Sequence, residues 1–525
     1  VNSHCAYLTK TPAMADLDED DPGQVPLLTK PARSGRTGQR PFGSCGPQIE
    51  VEKYDQLLEE KVADLKEKFS RSVPKDVVDA AQIFQSPRTA FRHRAGPLAI
   101  RRPSAERQSE GISLELSMWD PVAKEHSLII PTEVPIFSLP ISVAMEVLRT
   151  ANIRVDPELG EGSEETDWQC VDIADASKPL AWGRVIGRGL RSAQFHSTLS
   201  GELLVSLAYH DTRLQNLKRG QALPEEDDPS FEKSSQGQAW LQAAQRLRDF
   251  LLPALNAAGV QGAKVDVVGR WKRRRLVCER DFVQETFDLD DGRRLVYKQP
   301  EGQFSNPNMR CEVHCLNWLC EQAKEATKDF LASRNAAPRL LELHCGGGNN
   351  TVAVAPHFAE VRAVEINRTL AEAAEENLEI NGVQNASIIR AASKTIDNSV
   401  SAGCDVILVD PPRAGLDDET REYVAKFDQI LYISCNPLAL KQDLGRLGEG
   451  FEVVALAVFD MFPYTTHVEC AVRIRRSQAQ VPRPLPQRRS RFRLWWLLVI
   501  GAVVFLLKKR RKSCYLLSGS AYGGS

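Results

Sequence analysis

Cys435 stands in the run Tyr432-Ile433-Ser434-Cys435-Asn436-Pro437, twenty-five residues after Asp410-Pro411-Pro412-Arg413. A thiolate adds readily to an electron-poor ring carbon and can leave again, because it is nucleophilic near neutral pH and is a tolerable leaving group. Most lone cysteines are small inert core residues, as Cys404 and Cys470 are expected to be. Cys435 differs in position: it follows an apolar strand and precedes Asn-Pro, so it falls on a loop, half exposed, at the same sheet edge as Asp410. A carboxylate follows at Glu469, at the end of the run Phe462-Pro463-Tyr464-Thr465-Thr466-His467-Val468-Glu469. A base of this kind is needed if a ring proton must leave before the thiolate can be expelled. Glu469 is the choice and His467 the competitor.

The elements that must hold these groups are legible downstream of about residue 310. Segments 340–344, 361–365, 387–390, 405–409 and 430–433 are short apolar runs separated by helix-length stretches, the pattern of a doubly wound α/β sheet. Such sheets bind ligands at the carboxyl ends of their strands, where each of these motifs falls. The first strand enters the loop His344-Cys345-Gly346-Gly347-Gly348-Asn349-Asn350, and the second ends at Glu365. Glycines such as Gly346 let backbone approach a ligand, and an acid at the end of the next strand can accept from ribose hydroxyls. The loop is not a full G-x-G-x-x-G, and an acceptor-activating cysteine follows, so S-adenosylmethionine fits better than NAD. The prolines after Asp410 hold the chain extended, with the carboxylate facing the crevice. Asp-Pro-Pro alone would also suit an amino-methyltransferase. Cys435 favours a uracil, whose carbon 5 takes a methyl group only after a nucleophile has added at carbon 6.

Upstream, 51–300 reads as one α+β domain, with a strand at 202–209 and a helix at 239–255. It follows a Pro/Gly-rich leader, 1–50, expected to be disordered. Tyr54, Leu58, Val62, Leu65 and Phe69 recur at helical spacing on one face. An exposed insertion is expected at 224–237. With 67 Lys plus Arg against 69 Asp plus Glu, the net charge of −2 carries no signature of a nucleic-acid partner. Any RNA footprint must be local, and the candidates are Arg270 to Arg275 around Trp271 and the cluster Arg88, Arg92, His93 and Arg94. Twelve cysteines without any C-x-x-C pair fit a reducing, cytoplasmic compartment. Cys311, Cys315 and Cys320 fall on successive helix turns, and no metal is expected. The first methionine is Met14, and the acidic run after it is unlike an Arg-rich transit peptide.

The methyltransferase segment is placed at 301–476. A Pro/Arg-rich linker, 477–493, leads to the apolar run 494–507 and a basic, polar tail, 508–525. As a helix the apolar run spans about 21 Å, short of the roughly 30 Å hydrocarbon core. Trp495, Trp496 and the flanking cations nevertheless suit a tail anchored in, or associated with, a membrane.

Together these motifs resemble the bacterial-type tRNA (uracil-5-)-methyltransferases that form 5-methyluridine at position 54 of the T-loop. The similarity runs from about Tyr54 to Arg475. It implies a Rossmann-like S-adenosylmethionine domain preceded by an RNA-binding domain, with tRNA, through its T-arm, as partner and a monomer as the working unit. By that resemblance Cys435 is the nucleophile and Glu469 the base, and His344, Asn349, Glu365 and Asp410 match cofactor- and uracil-pocket positions. The family's Phe-x-Gln-x-Asn cofactor motif reads Phe304-Ser305-Asn306-Pro307-Asn308 here, so Asn306 replaces a glutamine. His344 stands where a phenol is usual, and Gly96-Pro97 replaces Glu-Phe after Arg94-Ala95. The β-barrel and cysteine-held cluster of the ribosomal-RNA relatives have no trace. Two other readings share the motifs: a tRNA-folding or binding module with weakened catalysis, and an amino-methyltransferase using Asp410.

Overall fold

Short runs of branched apolar residues make the frame of the site. The computed structural model describes residues 49–103, 112–120, 125–131, 133–150, 154–155, 181–209, 230–271, 274–334, 337–396 and 398–477. Residues 1–48 of the expected leader and the apolar run 494–507 lie outside the described residues. Among the described residues no helix is long and apolar enough to cross a membrane.

The catalytic sheet has eight strands. Numbered along the chain they are β1 Gln82–Phe84, β2 Arg339–Leu343, β3 Glu360–Glu365, β4 Ala386–Arg390, β5 Val406–Val409, β6 Gln429–Ser434, β7 Phe451–Phe459 and β8 Glu469–Arg476. Their order is β1-β7-β8-β6-β5-β2-β3-β4. Strands β4, β3, β2, β5 and β6 pair in parallel, and β8 runs antiparallel to β6. The chain leaves β2 in one direction through β3 and β4 and in the other through β5 and β6, so the order reverses beside β2. That reversal opens a crevice at the carboxyl ends. Every residue of β5 and β6 is buried, as expected of central parallel strands covered on both faces. Truncating a core side chain such as Leu408 to alanine would cost about 2–5 kcal/mol.

Four helices matter to the site: α1 Tyr54–Phe69, α2 Met309–Arg334, α3 Asn349–Val354 and α4 Arg368–Ile380. Helix α1 spans two cores. Tyr54 and Leu58 pack with Phe91 and Tyr464 in the amino-terminal core, whereas Leu65 and Phe69 pack with Tyr423, Leu440 and Val458 in the catalytic one. With β1 pairing in parallel to β7, the first described stretch of the chain contributes a strand to the catalytic sheet.

Most other upstream strands form a nine-stranded sheet, led by Lys264–Trp271, Glu202–Tyr209 and Leu190–Ser197, and Phe282–Asp288 and Arg294–Pro300 pair as a separate two-stranded sheet. The helix Ser235–Ala257 covers it, burying Trp240, Leu247, Leu251 and Leu255 against Leu203, Val205 and Val267. The insertion expected at 224–237 is described from Ser230 onward, and there Phe231 is buried in this core.

Both expected basic patches are largely spent on internal contacts. Trp271 stacks on Tyr209, with ring centroids 4.5 Å apart. Arg270 Nε donates to Glu301 at 2.8 Å, and Arg275 pairs with Asp281 at 2.9 Å. His93 is buried, and Arg94 donates to Gln303 O at 2.6 Å. Arg88 is bound to Asp55 at 2.7 Å. Residues 272–273 lie outside the described residues.

Candidate active site

The loop after β2 turns sharply because three of its residues adopt left-handed backbone: His344 at φ 63°, Gly346 at 55° and Gly348 at 80°. At His344 this conformation carries a strain cost that a glycine would not. Cys345 N–H donates to Val364 O at 3.1 Å, which registers the loop on β3. A Cβ at Gly348 would lie 3.2 Å from Ala374 Cβ, so the absence of a side chain lets α4 close on the loop. At Gly346 an added Cβ would meet nothing within 4 Å, which leaves an open cradle over the backbone. The Glu365 carboxylate accepts from Gly346 N–H at 2.9 Å and Asn367 N–H at 2.7 Å. A carboxylate has further lone pairs beyond these two bonds, and ribose hydroxyls can use them. Ile366 beside it is 65% exposed, and Phe304 is 67% exposed on the segment that Asn367 ties down through Gln303 Oε1 at 3.0 Å. Acid, open backbone and exposed apolar side chains together fit a nucleoside cofactor.

Asn306 and Asn349 meet on one carboxylate. Asn306 Nδ2 and Asn349 Nδ2 both donate to Glu312, the latter at 3.4 Å. Glu312 lies in the first turn of α2, and burial holds its carboxyl above the usual range. Asp410, just past β5, accepts from the Asn350 side chain, and burial and the charge of Glu312 raise its carboxyl too.

Cys435 follows β6 directly. Ser434 Oγ accepts from Asn436 N–H at 3.1 Å, and Asn436 Nδ2 donates to Arg413 O at 2.9 Å. The cysteine loop is thereby tied to the Asp410-Pro-Pro-Arg loop. A second tie is Asp443, which accepts from Tyr432 OH at 2.7 Å and Leu416 N–H at 3.0 Å. In the antiparallel pairing of β6 with β8, Ser434 faces Cys470. One step further, that register sets Cys435 beside Glu469. Burial, then the charges of Glu469 and Asp410, push the half-buried thiol up to about 12, against the pull of Arg413. Glu469 is 5% exposed, and burial, Asp410 and Glu312 hold its carboxyl well above the ordinary range.

His467 is not free to act as a base at Nδ1, because Arg413 donates to that nitrogen at 2.7 Å. Burial and the neighbouring guanidinium push the ring down to about 4. The loop carrying it is held by Lys61, whose ammonium donates to Asp460 Oδ1 at 2.5 Å, Phe462 O at 2.9 Å and His467 O at 3.1 Å.

The structure thus brings Asn306, Asn349, Asp410 and Glu469 near Glu312, sets Cys435 near Glu469 and Asp410, and joins Glu365 at the end of β3 to the loop of His344 and Gly346. Lys61 and Glu312 were missed by sequence reasoning, although signals existed. Lys61 falls on the buried stripe at 54, 58, 61 and 65, and Glu312 shares a helix face with Cys315, Leu316 and Leu319.

A doubly wound sheet with a nucleoside cradle, and a cysteine and two buried acids at the same edge, defines a Rossmann-like methyltransferase. The family model described as tRNA (Uracil-5-)-methyltransferase matches residues 232–477. The tRNA/tmRNA (uracil-C(5))-methyltransferase of Shewanella amazonensis is 33% identical over 443 residues, covering 82% of this chain and 98% of its own. That of Azoarcus sp. is 33% identical over 448 residues, covering 82% and 99%. The solved Pyrococcus abyssi tRNA (uracil-54, C5)-methyltransferase, in complex with S-adenosyl-L-homocysteine, is 20% identical at TM-score 0.49, covering 80% of this chain and 83% of that one. The chain belongs to the tRNA (uracil-5-)-methyltransferase family and is an S-adenosylmethionine-dependent methyltransferase.

Proposed function

We propose that this enzyme methylates carbon 5 of the uridine at position 54 of the tRNA T-loop through a covalent adduct at Cys435. The observation that carries the reading is the β6–β8 register, which sets a half-buried thiol beside a buried carboxylate at the edge that also bears Asp410. The target base leaves its stack so that the sulfur can reach the ring edge. As Sγ bonds to ring carbon 6, the thiol gives its proton to the Asp410 carboxylate, and the carbon 5–carbon 6 electron pair moves toward carbon 5 and the carbonyl. Asn306, His344, Gly346, Asn349, Glu365 and Asp410 would hold S-adenosylmethionine, which would supply the methyl group and a positive charge that favours ionised carboxylates. Glu469 then removes the carbon 5 proton, the double bond re-forms, and the Sγ–carbon 6 bond breaks. The amino-terminal sheet serves as the RNA-binding domain.

The test incubates unmodified tRNA with methyl-labelled cofactor. Wild type is expected to label uridine 54 and Cys435→Ala to label nothing. An active Cys435→Ala enzyme would point instead to amino-methyltransferase chemistry at Asp410.

A further inference from the structure

Glu312 is not one of the motif residues, yet it is the group on which two of them converge. It is 4% exposed, and its two oxygens divide between Asn306 Nδ2 and Asn349 Nδ2. A primary amide has its donors on one atom and its acceptor on the other. Anchoring both NH2 groups on one carboxylate therefore turns both carbonyl oxygens away from Glu312. Its place along the crevice is given by its bonds. Asn349 opens α3 beside Asn350, whose side chain donates to Asp410, whereas the ribose-type acid Glu365 is bonded to Gly346 and Asn367. Glu312 is thus tied to the side of the glycine loop that meets Asp410, apart from the contacts of Glu365.

We propose that Glu312 is a positioning residue of the cofactor pocket, orienting the carbonyl oxygens of Asn306 and Asn349 to accept from the ammonium of the cofactor's methionine end. The inference rests on the cofactor reading above. It also gives the short amide at 306 a physical role: with one methylene fewer than glutamine, Asn306 depends on an external anchor for its orientation, and α2 supplies one. Hydrogen bonds to charged groups are the stronger class, so losing the anchor has a measurable effect.

Calorimetric titration of the full-length protein with S-adenosylmethionine, S-adenosylhomocysteine and adenosine tests this without turnover. Glu312→Gln keeps the shape but places an NH2 where one amide donated. It is expected to bind the two methionine-bearing ligands about tenfold to a hundredfold more weakly, with adenosine affinity unchanged. Equal loss for all three would make Glu312 a structural residue only and overturn the proposal, and so would no loss for any. Glu312→Asp keeps the charge at shorter reach and is expected to show a smaller loss of the same selectivity; if Glu312→Gln does not fold, this variant decides. If wild type binds neither methionine-bearing ligand, the cofactor reading itself fails, a result distinct from failure at Glu312.

Discussion

Lys61, in the first helix, sets its ammonium 2.5 Å from Asp460, 399 positions later in the chain, and both side chains are almost fully buried. The same ammonium caps two carbonyls of the loop that leads to Glu469. Removing one partner of a buried pair leaves the other charged and unpaired, a loss of about 3–5 kcal/mol. Lys61→Met is expected to lower Tm by several degrees. Turnover should fall about tenfold to a hundredfold, because small displacements of a catalytic group are costly. The double variant Lys61→Met with Asp460→Asn should recover most of the Tm but not the turnover, since the two carbonyls still lack their donor. Calorimetry and single-turnover rates check both.

The thiol of Cys435 is pushed up to about 12, so near neutral pH it is almost wholly protonated in the free enzyme. Alkylation by iodoacetamide is expected to rise about tenfold per pH unit between pH 7 and 10, following the thiolate fraction. Arg413 is the cation that opposes the rise. Arg413→Gln removes that positive charge, raises the thiol further and slows alkylation at any fixed pH. Mass spectrometry of the Cys435 peptide reads the rate, and faster alkylation in the variant would contradict this electrostatic account.

Stability of the ligand-free protein should fall as pH rises from 6.5 to 8.5. Burial raises Glu285 and Glu342 to about 8, and Asp410, Glu312 and Glu469 are raised as well. Over this window the folded state holds more protons than the unfolded one, and stability drops wherever that holds. His93, His357 and His467, pushed down to about 4, act with the opposite sign, an effect that shrinks as pH rises through the unfolded histidine value near 6.5 and is outweighed by the five raised carboxyls. His196 and His344 are lowered as well, and this opposition fades by about pH 7.5, above which raised thiols such as Cys435 act in the same direction as the carboxyls. Tm measured at pH 6.5, 7.5 and 8.5 is expected to decline steadily, and a rising Tm would contradict the burial assigned to these acids.

The strands β2 to β6 and the motifs at their ends were legible because each signal is local: a short apolar run, then a glycine loop, Asp-Pro-Pro or Ser-Cys-Asn-Pro. The apolar face of α1 was legible for the same reason. Lys61 and Glu312 were not assigned roles, because their partners lie on other elements and a buried charge looks like a surface one until its partner is in place. The internal partners of the basic runs, Gln303 for Arg94 and Glu301, Asp281 and Tyr209 for 270–275, were not legible because they lie elsewhere in the sequence. Strand β1 has three residues and no alternation, so only its pairing with β7 defines it.

Under the proposed mechanism Cys435 bonds to carbon 6 of a tRNA uridine. With tRNA carrying 5-fluorouridine, the carbon 5 proton is replaced by fluorine, which Glu469 cannot remove, so methyl transfer should leave the adduct trapped. Denaturing electrophoresis and peptide mapping are expected to show a protein–RNA species joined at Cys435 in wild type and absent in Cys435→Ala. A wild-type enzyme that labels normal tRNA yet forms no such species, or forms it at another residue, would contradict the account.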